Sequence, residues 1–153
     1  MVTVCLIYTT MTGNTEEIAD ILAGELTERG ATVVKKNMSM DPISAGELAH
    51  ADGIAFGTYT YSDGELPFET EETAEDLERM DLAGKPVALF GSGDTMYEHF
   101  CGAVDEMTVR FQRMGVHLVE PVLKVELDPD PADIDPCIRL AENLLAAIRM
   151  PIT

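Results

Sequence analysis

Four short apolar runs recur along the chain with helix-patterned stretches between them, and this alternation restricts the fold more than any other feature. The runs occupy residues 2–8, 32–36, 53–58 and 86–91. Each is too short for a typical helix, and all but the second, which ends in Lys35-Lys36, are almost unbroken in apolar, small or β-branched residues, as expected of a strand buried on both faces. The spacing between them predicts helices over 15–29 and 68–80, with a short helical piece near 44–48. Beyond the fourth run, a helix is expected over 100–114, then a fifth strand over 116–125 interrupted by Pro121, then a closing helix over 135–150 with Pro136 in its first turn. The Asp128-Pro129-Asp130-Pro131 stretch reads as a stiff polar loop. Strands alternating with helices imply a parallel sheet covered on both faces through right-handed crossovers. Open sheets of this kind bind ligands beyond the carboxyl ends of their strands, so function is sought in the loops that begin at Thr9, Thr58 and Ser92.

A chain of 153 residues can bury one sizeable core, and no repeat, linker or break in composition marks a second. A single domain over residues 1–153 is expected. No apolar run approaches the roughly 20 residues that cross a bilayer. The opening MVTVCLIYTT lacks a basic flank and reads as a strand rather than a secretion signal, which implies a cytoplasmic protein. Lys and Arg number 10 against 28 Asp and Glu, a formal net charge of -18. Such a chain repels DNA, RNA and anionic lipid. Overall acidity serves solubility, whereas clustered acidity favours docking onto basic proteins. Clustering is present: nine carboxylates lie between Asp63 and Asp81, with Arg79 as the sole counter-charge. Cys5, Cys101 and Cys137 have no CxxC spacing and His50, His99 and His117 no ligand spacing, so neither a metal site nor a disulfide framework is indicated. The histidines read as surface or structural.

The first loop, Thr9-Thr10-Met11-Thr12-Gly13-Asn14-Thr15, offers hydroxyls, an amide and a glycine but no charge, just where a helix begins. Unmet backbone donors and the positive end of the helix dipole make such a place suited to an anion, and a phosphate monoester would fit. An ordinary helix start capped by Thr12 or Asn14 fits the same residues. A triphosphate-binding P-loop does not, because the loop has no lysine. Gly91-Ser92-Gly93 supplies only the first two glycines of a dinucleotide fingerprint and follows the fourth strand. The second loop, Thr58-Tyr59-Thr60-Tyr61-Ser62-Asp63-Gly64-Glu65-Leu66, and the third, Ser92 to His99 with Tyr97, put aromatics among turn residues. These are either anchors or walls for a planar ring. A phosphate cradle with two aromatic walls suggests flavin mononucleotide, FMN.

Three stretches in order, YTTMTGNTEEIA, GTYTYSDGELP and FGSGDTMYEHFCGAVD, closely resemble the phosphate loop and the two ring-flanking loops of the short-chain flavodoxins. The resemblance extends over essentially the whole chain. It implies a doubly wound α/β fold, a five-stranded parallel sheet in the order 2-1-3-4-5 with helices on both faces; flavodoxin is itself a standard example of this order, which is carried over from the family. It also implies a monomeric one-electron carrier of low potential that holds FMN noncovalently, turns over no substrate, and docks on redox proteins with basic surfaces, flavin-containing reductases as donors and metalloenzymes as acceptors.

Matched motif by motif, Thr9, Thr10, Met11, Thr12, Gly13, Asn14 and Thr15 would form the phosphate loop. Thr58, Tyr59, Thr60, Tyr61, Ser62, Asp63 and Gly64 would flank one side of the ring, and Ser92, Gly93, Asp94, Tyr97, Phe100 and Cys101 the other. Tyr97 would stack on one ring face and Tyr61 cover the other, with backbone groups near Thr58, Thr60, Asp94 and Cys101 reading the ring edge and ribityl chain. Two residues depart from the common family pattern: Tyr61 stands where Trp is frequent and Ser62 where Gly is frequent. The first keeps a stacking plane, while the second places a side chain in a turn that glycine makes supple. The alternatives are a flavodoxin-like activator of a metalloenzyme such as ribonucleotide reductase, and a phospho-accepting receiver. The receiver needs acids after the first strand and an Asp ending the third, where this chain has Tyr8-Thr9-Thr10 and Gly57-Thr58.

Overall fold

Successive residues of the first strand, β1 (Thr3–Tyr8), point to opposite sides, and both sides are apolar: Val4, Leu6 and Tyr8 enter one core, Cys5 and Ile7 another. A strand patterned this way must lie inside a sheet covered twice. The computed structural model, which describes residues 1–150, places it there. The helix α1 (Asn14–Glu28) leads to β2 (Thr32–Asn37), α2 (Ala45–His50) to β3 (Gly53–Tyr59), and α3 (Phe68–Glu78) to β4 (Pro86–Gly93). Then follow α4 (Gly102–Met114), two short strands β5 (His117–Leu118) and β6 (Leu123–Glu126), and α5 (Pro131–Arg149). All pairings within the sheet are parallel, in the order β2-β1-β3-β4-β5, with β6 also on β4. This is the expected 2-1-3-4-5 sheet.

Helices α1 and α5 cover one face. Ile18, Leu22 and Leu26 recur every fourth residue of α1 and meet Leu140 and Leu144 of α5 over Leu6, Ala55 and Phe90. On the other face Leu48, Leu77, Val104, Met107 and Phe111 bury Ile54, Phe56 and Leu89, with the Phe56 and Phe111 rings edge to face at 5.2 Å between centroids. Burial of these side chains, each contributing about 1.5–3 kcal/mol, holds the strand ends that carry the loops.

Three expectations need correction. The fifth strand is not one interrupted strand but two, and both lie along β4. The register offset is 31 where His117 faces Pro86 and 33 where Leu123 faces Phe90, so two extra residues are taken up between them, around Pro121. Proline has no N–H to give to the ladder. The last helix starts at Pro131, not near Asp135: Asp130 accepts from the Ala132 N–H at 2.8 Å, Asp133 returns the contact to the Asp130 N–H at 2.9 Å, and Pro131 takes the first helical position. Thus the Asp-Pro-Asp-Pro stretch is the helix start, and Pro136 lies inside the helix, past its first turn. The helix expected from residue 100 starts at Gly102, with Cys101 at the N-cap in the left-handed region (φ 52°).

Candidate functional site: a cleft at the carboxyl ends of β1, β3 and β4

The first loop ends on Gly13, the N-cap of α1, at φ 96°. Glycine reaches that angle freely, and a Cβ there would meet nothing within 4 Å, so backbone conformation rather than crowding calls for it. Gly13 has no side chain to cap the helix, and no side-chain cap is formed. The only cap-like bond in the loop runs from the Gly13 N–H to Thr10 Oγ1 at 3.0 Å. A 15-residue helix therefore presents its first N–H groups and the positive end of its dipole with no acceptor from the cap, and acidic Glu16 and Glu17 already sit in its first turn. The alternative of a Thr12- or Asn14-capped start is not what the structure contains.

The second loop is a tight turn in which Tyr61 and Glu65 exchange backbone hydrogen bonds at 2.8 and 2.9 Å. Ser62 (φ 50°) and Gly64 (φ 93°) both occupy the left-handed region inside it. In the third loop the Asp94 carboxylate accepts from the Met96 N–H at 2.9 Å, and the Tyr97 N–H donates to the Asp94 carbonyl at 3.1 Å. The two loops are joined. Asp63 accepts from the His99 N–H at 3.0 Å and lies 3.3 Å from His99 Nδ1, and the Ala103 N–H reaches Thr60 Oγ1 at 3.4 Å. The His99 N–H is the main cause that holds the Asp63 carboxyl below its ordinary value.

Between the three loops lies a cavity of about 130 Å³, lined by Thr12, Asn14, Tyr59, Thr60, Ser62, Ser92, Gly93, Asp94, Tyr97, His99, Cys101 and Leu127. It shares Tyr59 with a wider groove of about 780 Å³ that runs past Tyr61, Gly64 and Phe68 toward Glu71 and Glu106. All three expected loops thus contribute to one cleft. Tyr97 stands in its wall and is 45% exposed, whereas Tyr61, 51% exposed, borders the adjoining groove.

Several expected site residues are placed otherwise. Thr9 is fully buried, with its hydroxyl donating to Glu69 at 2.8 Å and lying 3.1 Å from that of Ser39. The Thr15 hydroxyl turns inward to Ser92. Thr58 is buried and bonded to Thr70 at 2.9 Å. Phe100 packs on the core beneath α4, and Met11 is exposed outside the cavity lining.

Three residues escaped the sequence reading. His99 lines the cleft, although its position beside Tyr97 in the third loop was a usable signal. Leu127, in the left-handed region at φ 53°, is held by its N–H to the Gly93 carbonyl at 2.8 Å, and nothing local in the sequence marks it. Glu69 gathers Thr9, Ser39 and, at 3.4 Å, the Tyr59 hydroxyl onto one carboxylate oxygen, tying the bases of the first two loops together. Burial pushes its carboxyl up, but hydrogen bonds from its own backbone and these three hydroxyls outweigh it and hold it below the ordinary value.

Comparison with known proteins points the same way. The flavodoxin family model matches residues 6–140. The chain is 42% identical over 130 residues to probable flavodoxin 2 of Bacillus subtilis, covering 85% of each chain. Among solved structures, it matches oxidised flavodoxin 2 of Bacillus cereus with a TM-score of 0.86 at 46% identity, covering 94% of this chain and 98% of that one. A flavodoxin of Streptococcus pneumoniae gives a TM-score of 0.87 at 39% identity, over 94% and 98%.

Proposed function

The chain belongs to the flavodoxin family of FMN-carrying electron-transfer proteins, and on that premise we propose that its FMN sits in the cleft with the phosphate at the start of α1 and the ring beside Tyr97. Bound there, FMN supplies a ring that accepts and releases electrons singly. The observation that carries the assignment is the uncapped, glycine-fronted N-terminus of α1 opening beside a tyrosine-walled cavity. The unsatisfied donors at the helix start and the Tyr97 wall fit the group.

The chain's own part is binding and shielding. The N–H groups that begin α1, the Thr12 hydroxyl and the Asn14 amide hold the phosphate dianion without a lysine or arginine, and the dipole adds to their effect. Thr10 supports Gly13 from behind, and Thr15 and Ser92 brace the helix start against β4. Tyr97 provides one stacking plane, and the Tyr61 turn flanks the other side from the groove. Backbone groups near Thr60, Asp94 and Cys101 face the ring edge. The carboxylates of the Asp63 to Asp81 cluster face redox partners with basic surfaces, and the protein works as a monomer in the cytoplasm with no substrate turnover of its own. No described helix is long and apolar enough to cross a membrane.

The test compares FMN with riboflavin. Thr12→Ala and Asn14→Ala should each weaken FMN roughly tenfold to a hundredfold, since a hydrogen bond to a charged group contributes about 1.5–3 kcal/mol. Riboflavin, lacking phosphate, should bind weakly and not respond. Equal losses for both ligands would place the phosphate elsewhere, and protein that takes up no flavin would overturn the assignment altogether.

A further inference from the structure

The cleft is acidic and contains a single basic side chain. Its lining includes Asp94, Asp63 stands at its edge, and Glu98 is the neighbour of His99 in sequence; neither Lys nor Arg belongs to the lining. His99 enters from the third loop with Nδ1 3.3 Å from Asp63 Oδ1. Its Cβ is pressed against the second loop, where a Cβ on Gly64 would come within 2.8 Å of it. The backbone is fixed too, by the bond from the His99 N–H to the same carboxylate. His99 is therefore held at the cleft by three contacts while its side chain stays 66% exposed. Imidazole is the side chain whose charge ordinarily changes near neutral pH.

We propose that His99 couples electron uptake in the cleft to proton uptake, its imidazole taking a proton from water when the cleft gains negative charge and returning it when the electron leaves. The inference rests on the cleft being the FMN site. The electron comes from the reduced partner protein, the proton from solvent, and the imidazolium formed neutralises the added charge beside Asp63. The other titratable groups around the ring are Asp63 on the second loop, Asp94, Tyr97 and Glu98 on its own loop, and Tyr59 and Cys101 in the cleft wall. Of the side-chain types around the ring, imidazole is the one whose charge ordinarily changes near neutral pH, which singles out His99.

Attraction between opposite charges several ångströms apart in a partly wet cleft should raise the proton affinity of His99 about three- to tenfold on reduction. At 59 mV per tenfold for one electron, the more negative of the two one-electron potentials should then fall by about 28–59 mV more in the parent than in His99→Gln between pH 5.5 and 8.5.

The experiment uses the FMN-loaded protein and its His99→Gln, His50→Gln and His117→Gln variants. Both potentials are measured across that pH range, and imidazole proton resonances are followed by NMR in the oxidised and fully reduced states. The expected result is a His99 titration moved to higher pH on reduction and an excess pH dependence lost in His99→Gln alone. Superimposed His99 titrations in the two states, or a parent pH profile retained by His99→Gln, would overturn the coupling while leaving FMN in place. Failure of the site assignment shows separately, as no FMN uptake or as FMN binding indifferent to Thr12→Ala and Asn14→Ala, and overturns both.

Discussion

The hydroxyls of Thr15 and Ser92 lie 2.7 Å apart in a fully enclosed contact between the first turn of α1 and the end of β4. One of them belongs to the phosphate loop and the other to the third loop, so a single buried hydrogen bond ties the two together. Thr15→Val should strand the Ser92 hydroxyl without a partner and cost about 1–3 kcal/mol. Adding Ser92→Ala should recover part of that loss, because no polar group is then left unpaired. Urea unfolding of the FMN-free parent, both single variants and the double variant measures the coupling. Strict additivity would mean that the hydroxyls do not depend on each other.

Glu69 should make stability depend on pH in acid. Its carboxyl is held below the ordinary value in the folded protein, so its stabilising contribution is fully present above the unfolded-chain value and disappears as pH falls through the lower folded value. Glu69→Gln keeps the shape and one acceptor but cannot titrate. The stability difference between parent and Glu69→Gln should be constant near neutrality and shrink on acidification below about pH 4. Glu69→Ala, which leaves the Thr9 hydroxyl dependent on Ser39 alone, should cost about 1.5–3 kcal/mol near neutral pH.

The two left-handed glycines of the site should respond differently to alanine. At Gly13 the new methyl meets open space, so the cost is that of the backbone angle, about 1–2 kcal/mol. At Gly64 the same backbone cost is joined by a contact of 2.8 Å with the His99 Cβ, which forces the second and third loops apart. Gly64→Ala should lose more stability than Gly13→Ala and should also weaken riboflavin, because ring and not phosphate contacts are disturbed. Equal effects of the two variants on riboflavin would contradict this.

All three cysteines should resist alkylation in the native protein. Burial is the main cause that pushes the Cys101 thiol up to about 12 and those of Cys5 and Cys137 up to about 11, far from the thiolate form that reacts. At pH 8 iodoacetamide should label the native protein negligibly and all three sites in urea. Rapid native labelling of Cys101, which borders the cleft, would show that the third loop opens.

Much of this molecule can be read from residue order because its sheet is buried twice. Continuous runs such as Cys5-Leu6-Ile7-Tyr8 have no solvent face to choose, so they declare themselves as central strands. The first loop is equally plain, as its residue types leave few alternatives. What was illegible depends on partners far away in the chain. Glu69 looks like one more solvated acid on an acidic helix until folding brings Thr9, Ser39 and Tyr59 to it. His99 looks like a surface residue because its partner Asp63 is 36 positions earlier. Asp130 reads as part of a loop because prolines on both sides hide a capping residue, although the Asp130–Asp133 spacing that makes the capping box was available in the sequence.

The break between β5 and β6 also bears on how copies of this chain meet. An open sheet ends in two strands whose outer N–H and C=O groups could template a strand from another molecule. On one side β2 carries Lys35 and Lys36, held by Asp20 and Glu47. On the other, the edge is cut near Pro121 into segments of two and four residues, neither long enough for a stable intermolecular ladder. The sheet is thereby protected from edge-to-edge polymerisation without a closing strand, and the most direct way to make this chain fibrillise would be to straighten that edge.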